Sequence, residues 1–148
     1  MLGQVPDCWR SVSYPSERGL GSFVSDLCRR LATFERWVDD GPPLAFWLPG
    51  FFFPQAFLTA VLQDHARRER IEIDTLCLEW VVGDMQLEGS GTDAELAALD
   101  PPDYGAYVTG IFLEGAAWSR DSHGLVEAGP GELYCPMPVV LLAPKRYP

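Results

Sequence analysis

Only one lysine occurs in the 148 residues, Lys145, and Pro144 precedes it. A phosphate-cradling P-loop ends in Gly-Lys-Ser or Gly-Lys-Thr, so that backbone amides and a lysine meet the phosphates together. Walker-type nucleotide binding by this chain is therefore excluded by inventory, and lysine Schiff-base chemistry is disfavoured for the same reason. The glycine stretches Gly19-Leu20-Gly21-Ser22 and Gly89-Ser90-Gly91 do not match GxGxxG and follow no convincing strand, so they read as turns. Basic residues are scarce overall, 11 against 21 acidic ones for a net charge of −10, which repels nucleic-acid phosphates and anionic lipid. Neither a nucleic-acid nor a membrane partner is expected. No window approaches the roughly 18 apolar residues needed to span a bilayer, and MLGQVPDCW lacks the basic and apolar regions of a secretory leader. The cysteines Cys8, Cys28, Cys77 and Cys135 are far apart, with no CxxC and no interleaved histidines, so reduced thiols in a cytosolic compartment are expected.

What is present suits one globular domain, with 47% hydrophobic and 22% charged residues. Leu20, Val24, Leu27, Leu31, Phe34 and Val38 alternate spacings of four and three, which lines one face of a helix. Ser22 is a plausible cap, and Gly41-Pro42-Pro43 stops the run. Fewer than three heptads is too little for a coiled coil, so a core-facing helix is expected. Pro54 suits the first turn of a second helix that runs to about Arg70, with Phe57, Leu58, Val61 and Leu62 on its apolar face. Arg67, Arg68 and Arg70 then complement its dipole.

From Ile71 the periodicity turns to alternation, with a kink expected near Asp74-Thr75. Residues 83 to 103 form an acidic, glycine-containing loop, with one helical turn expected at 93 to 99. YGAYVTGIFL at 104 to 113 reads as a strand, broken by Glu114-Gly115 before Ala116-Ala117-Trp118. A short strand from Leu125 to Glu127, a turn at Gly129-Pro130-Gly131 and a last strand from Val139 to Leu142 complete the sequence. Two main helices followed by an antiparallel β-sheet give an α+β fold. A helical segment over 1–70 and a strand segment over 71–148 are expected to pack as one compact domain.

Chemistry finds little purchase in this pattern. His65 lies on a helix and His123 in a loop, and spacing brings neither to a serine or cysteine. Asp39-Asp40 lacks the spacing of a calcium loop, while Glu79 and Glu114 read as solvent-facing carboxylates with no partner for acid–base work. No catalytic, cofactor-binding or metal-binding residue is assigned. The aromatics say more, because Trp47, Phe51, Phe52, Phe53 and Phe57 fall within a short run. Each fully buried Phe stabilises by about 1.5–3 kcal/mol, so these rings need cover. Three consecutive residues cannot all face one way, so at least one of Phe51, Phe52 and Phe53 points away from the face that buries the others. With Trp80 and Trp118 these five are the expected packing or interface anchors.

Through those residues the sequence resembles the distal part of the C-terminal domain of dynein heavy chains, of axonemal type. FWLPGFFFPQAFLTAVLQDHARR is followed in family order by IEIDTL, DYGAYVTGIFLEGAAW and ELYCPMPVVLLAP, and preceded by Trp9, Tyr14-Pro15-Ser16 and LGSFVSDLCRRLATFERW. The resemblance covers nearly the whole sequence. It implies helices followed by an antiparallel β-barrel that caps one face of the ATPase ring of the same heavy chain. The implied role is non-catalytic: bracing and modulating the ring of a minus-end-directed microtubule motor, in the cytoskeleton and the ciliary axoneme. Other dynein subunits and microtubules are then indirect partners. Pro49 stands where the family usually has a small residue, and Ala117 replaces the arginine common before Trp118. The family continues beyond the segment that ends here at Lys145-Arg146-Tyr147-Pro148, so an incomplete barrel, marginal stability and self-association are expected. A free-standing interaction module of dynein-like origin and a small cysteine/histidine enzyme are the alternatives.

Overall fold

A computed structural model describes residues 3–14, 16–82, 100–119 and 121–147. The protein divides into two compact units, Met1–Pro43 and Leu44–Pro148.

In the first unit a short helix α1, Asp7–Arg10, precedes the long helix α2, Leu20–Asp40. The cap of α2 is the extended Gly19 rather than Ser22, which lies inside the first turn. Gly41 ends the helix at φ +91°, a conformation that glycine adopts without the Cβ clash, and its N–H donates to the Trp37 carbonyl at 3.1 Å. Phe23 is buried under Tyr14 and Trp9. Half of the expected core-facing stripe stays exposed, Val24, Leu31 and Val38 at 39%, 51% and 84%, while Leu20, Leu27 and Phe34 are half-buried. Period identified the apolar face correctly, but periodicity carries no information about what packs on it.

The second unit opens with β1, Ala45–Trp47, before helix α3, Pro54–Glu69. Then come β2 (Leu76–Val82), β3 (Ala106–Thr109), β4 (Phe112–Glu114), β5 (Ala116–Ser119), β6 (Gly124–Glu127), β7 (Tyr134–Pro136) and β8 (Val140–Arg146). The main sheet has the order β1-β3-β8-β2, with β1 parallel to β3 and the other two pairs antiparallel. The fold is α+β as read from the sequence, but the sheet is mixed and one of its strands precedes α3. Two further pairs, β4 with β7 and β5 with β6, form separate sheets. No sheet closes into a barrel among the described residues, in keeping with the expected antiparallel sheet or incomplete barrel.

Several boundaries follow backbone chemistry. The kink expected near Asp74-Thr75 is a 3-10 turn over Ile73–Thr75 that leads into β2. The strand expected over 104–113 is two strands, because Gly110 takes φ +81° between β3 and β4. Gly115, at φ +67°, makes the next corner: its N–H donates to Leu133 and its carbonyl accepts from Ala128. One residue thus separates the strand that pairs with β7 from the strand that pairs with β6. Most of the acidic loop, 83–99, lies outside the described residues, including its expected helical turn.

Register places the core. Val108 faces Val140 and Ala106 faces Leu142, so these four share one face of the sheet. Val108, Val140 and Leu142 are fully buried, and Phe57 and Leu58 of α3 pack on them with Phe46 of β1. Pro144 sits in β8 beyond the last residue paired to β3, where only β2 is a neighbour, a position compatible with its missing N–H.

Candidate packing and interface site

Pro49 lies in the 3-10 turn Leu48–Gly50, and Pro54 opens α3 with no N–H to satisfy. The triple phenylalanine is therefore the corner between two proline-fixed elements. Phe51 stacks on Phe57 at 4.5 Å between ring centroids, and Phe57 meets Phe46 at 4.9 Å in a tilted pair. Phe46 also lies 6.4 Å from Phe51, which closes a three-ring cluster over the Val108-Val140-Leu142 core. Phe52 is 47% exposed and Phe53 is 75% exposed. Of the three consecutive rings, Phe51 turns inward and Phe53 turns outward furthest.

Trp47 is held by two glycines. A Cβ at Gly50 would lie 2.5 Å from Trp47 Cε3, and one at Gly110 would lie 2.6 Å from Cδ1 and 2.9 Å from Pro49 Cδ. The indole edge thus rests on bare backbone at both positions, and Pro49 lines the same contact at Gly110. Trp80 lies on β2, half-exposed, and Trp118 lies on β5 in the small hairpin. The structure accordingly gathers Phe51 and Phe57, seats Trp47 against Gly50 and Gly110, and leaves Trp118 on a different sheet.

Sequence reasoning missed Phe46, which joins the aromatic cluster. Its signal was weak because Ala45–Trp47 is too short to show a period. It also missed a polar cluster in the first unit. Tyr14 Oη donates to Asp26 Oδ2 at 2.7 Å, Arg30 Nε donates to the same oxygen at 2.8 Å, and Arg18 Nη1 lies 3.4 Å from Oδ1. The Arg30 guanidinium also sits over the Tyr14 ring at 4.3 Å. Burial alone would push the Asp26 carboxyl up, but hydrogen bonds from Arg30 and Tyr14 and the charges of Arg30 and Arg18 outweigh it and hold the group below the ordinary aspartate value. Burial and the bond to Asp26 push the Tyr14 hydroxyl up.

The titratable groups weighed for catalysis are dispersed. His65 lies on α3, 6.2 Å from the Tyr104 ring, and His123 occupies the β5–β6 turn at φ 48°. Cys8 and Cys28 are exposed in the first unit, Cys77 is on β2 and Cys135 is buried on β7. Burial and the neighbouring Glu132 carboxylate, 3.6 Å away, push the Cys135 thiol up, the opposite of an activated nucleophile. Glu79 faces solvent, 49% exposed, and forms an ion pair with Lys145 Nζ at 3.0 Å across β2 and β8. Among the described residues, no cluster of three or more His, Cys, Asp or Glu side chains is placed to hold a metal ion, and no helix is long and apolar enough to cross a membrane.

Residues 1–147 match the family model described as the C-terminal domain of the dynein heavy chain. Dynein axonemal heavy chain 3 of Mus musculus is 42% identical over 144 residues, covering 97% of this protein and 3% of the relative. Dynein axonemal heavy chain 1 of Homo sapiens is 42% identical over 140 residues, 95% of this protein and 3% of the relative. Dynein axonemal heavy chain 12 of Rattus norvegicus is 40% identical over 144 residues, 97% of this protein and 4% of the relative. The sequence thus spans only a few per cent of the length of the curated relatives it matches.

Proposed function

The protein belongs to the family of C-terminal domains of dynein heavy chains, and from that premise we propose that it is a non-catalytic cap segment of an axonemal-type heavy chain. In this role it braces the ATPase ring of the same heavy chain and modulates its force generation. Microtubules and other dynein subunits are reached only through the rest of the motor, within the axoneme. Family membership over residues 1–147 is the observation that carries the reading. The corner at Phe51-Phe52-Phe53 supplies a physical basis for it. A rigid three-ring cluster fixes the backbone while Phe53, 75% exposed, presents an aromatic ring outward on a proline-stiffened turn. An aromatic ring that loses little conformational freedom on docking is the type that dominates protein interfaces. Trp47, Phe51 and Phe57 are assigned to packing, and Phe52 and Phe53 to the contact with the ring.

The test is Phe53→Ser, alone and with Phe52→Ser, in a full heavy chain that carries this segment. Stall force, gliding velocity and microtubule-stimulated ATPase are the readouts. Weaker force with an intact ring, checked by electron microscopy, is the expected result. Unchanged values for all three in the double variant would remove the bracing role.

A further inference from the structure

We propose that the outer face of the β4–β7 pair docks an extended, arginine-bearing segment of another protein. Tyr134 and Glu114 hold the guanidinium, and Phe112 with Pro136 takes an apolar side chain two residues away. The inference is independent of the cap role.

Register sorts the pair into two faces. Leu113, half-buried, stands opposite Cys135, which is buried, so that face is covered. Phe112 stands opposite Pro136 and Glu114 opposite Tyr134, so these four share the other face. All four are exposed, Phe112 at 59% and Tyr134 at 61%. Among the described residues none of the four has a side-chain hydrogen bond, ion pair or ring contact. Phe112 and Tyr134 are diagonal neighbours across the two strands. Adjacent exposed aromatic rings are the composition of an interface rather than of an ordinary solvated strand face.

Charge and geometry name the occupant. Between Tyr104 and Pro144 the sequence has four carboxylates and one arginine, and Glu114 lies directly across from Tyr134, so the complementary charge is positive. The first unit shows what such a pair holds. There the Arg30 guanidinium sits 4.3 Å over the Tyr14 ring while its Nε donates to Asp26 Oδ2 at 2.8 Å. Tyr134 and Glu114 repeat the ring and the carboxylate, with no guanidinium among the described residues. A planar guanidinium stacks on a ring and bonds a carboxylate through its edge at the same time, which a compact ammonium does less well. The two cross-strand pairs lie two residues apart, roughly 6–7 Å along the strands. Side chains at i and i+2 of an extended segment share that separation and one face, whereas on a helix they point apart. An Arg-x-Leu segment therefore spans both pairs. Both contacts are solvent-exposed, so binding is weak and loosened by salt.

The test is a titration of the whole isotope-labelled protein with the acetylated and amidated heptapeptide Gly-Ser-Arg-Gly-Leu-Ser-Gly, followed by nuclear magnetic resonance at low salt. Saturable shifts centred on β4 and β7 are expected. Replacing the peptide's arginine by lysine weakens binding about two- to fivefold, and replacing it by glutamate abolishes binding. Moving the leucine next to the arginine turns it to the opposite face and also weakens binding. Glu114→Gln and Tyr134→Leu each weaken it about two- to fivefold, with the dispersion of the remaining resonances showing that the variants fold. Glu114→Arg binds the glutamate peptide instead, a reversal that a purely structural role for Glu114 would not produce. No saturable shift, shifts spread over acidic residues elsewhere, equal affinity for the arginine and lysine peptides, or unchanged binding by Glu114→Gln would each overturn the proposal. So would N-acetylarginine amide binding as tightly as the heptapeptide, because the ligand would then be a single residue and not an extended segment.

Discussion

A methyl group added at Gly110 meets two obstacles together: φ is +81°, and the new Cβ would lie 2.6 Å from the Trp47 ring. The left-handed backbone costs an L-residue about 1–2 kcal/mol and overpacking adds about 1–3 kcal/mol, so Gly110→Ala is expected to lose roughly 2–5 kcal/mol in urea unfolding. Asp26 offers the complementary experiment, because its carboxylate receives Tyr14, Arg30 and Arg18. Asp26→Asn is expected to destabilise the first unit by about 1–3 kcal/mol at neutral pH. The folded-state value lies below the ordinary 3.8, so the contribution is fully present above that pH and is lost as the pH falls through the lower folded value. The stability difference between wild type and Asp26→Asn should therefore shrink in acid, and a difference that grows there would refute the assignment.

At the scale of elements, α3 ends on Arg70 at φ 56°, where the left-handed cap is usually glycine. Arg70→Gly relieves that strain and is expected to raise stability by about 1 kcal/mol, measured as an upward shift in Tm. Both ends of α3 were legible in the sequence, since Pro54 and the basic last turn are local signals. The division at Gly110 was not, because a positive φ leaves no trace in hydrophobic alternation. β1 escaped because its partner, β3, is distant in sequence and the pair is held by register rather than by composition. The same limit applies to the candidate site. The phenylalanine corner announced itself by composition, whereas the Asp26 cluster draws on Tyr14, Arg18 and Arg30, whose convergence depends on how the N-terminal segment folds back. α2 shows the limit most clearly: its apolar face was readable, but not that Val24, Leu31 and Val38 remain exposed.

For the whole molecule, charge is the dominant property, at −10 near neutrality with a pI of about 4.5. Mutual repulsion opposes association at pH 7 and fades as carboxylates protonate, so a solubility minimum is expected near pH 4.5, checked by light scattering across a pH series. If scattering were flat through that range, patches rather than net charge would govern association. The paucity of lysine has a further use. The Lys145 amine sits 3.0 Å from Glu79 across the join between β2 and β8. An amine-directed reagent has one side chain to modify, and that side chain is 58% exposed beside Glu79, so it labels a single surface position while the sheet stays closed. The protein thus carries its own single attachment point on β8, confirmed by mass spectrometry without introducing a residue.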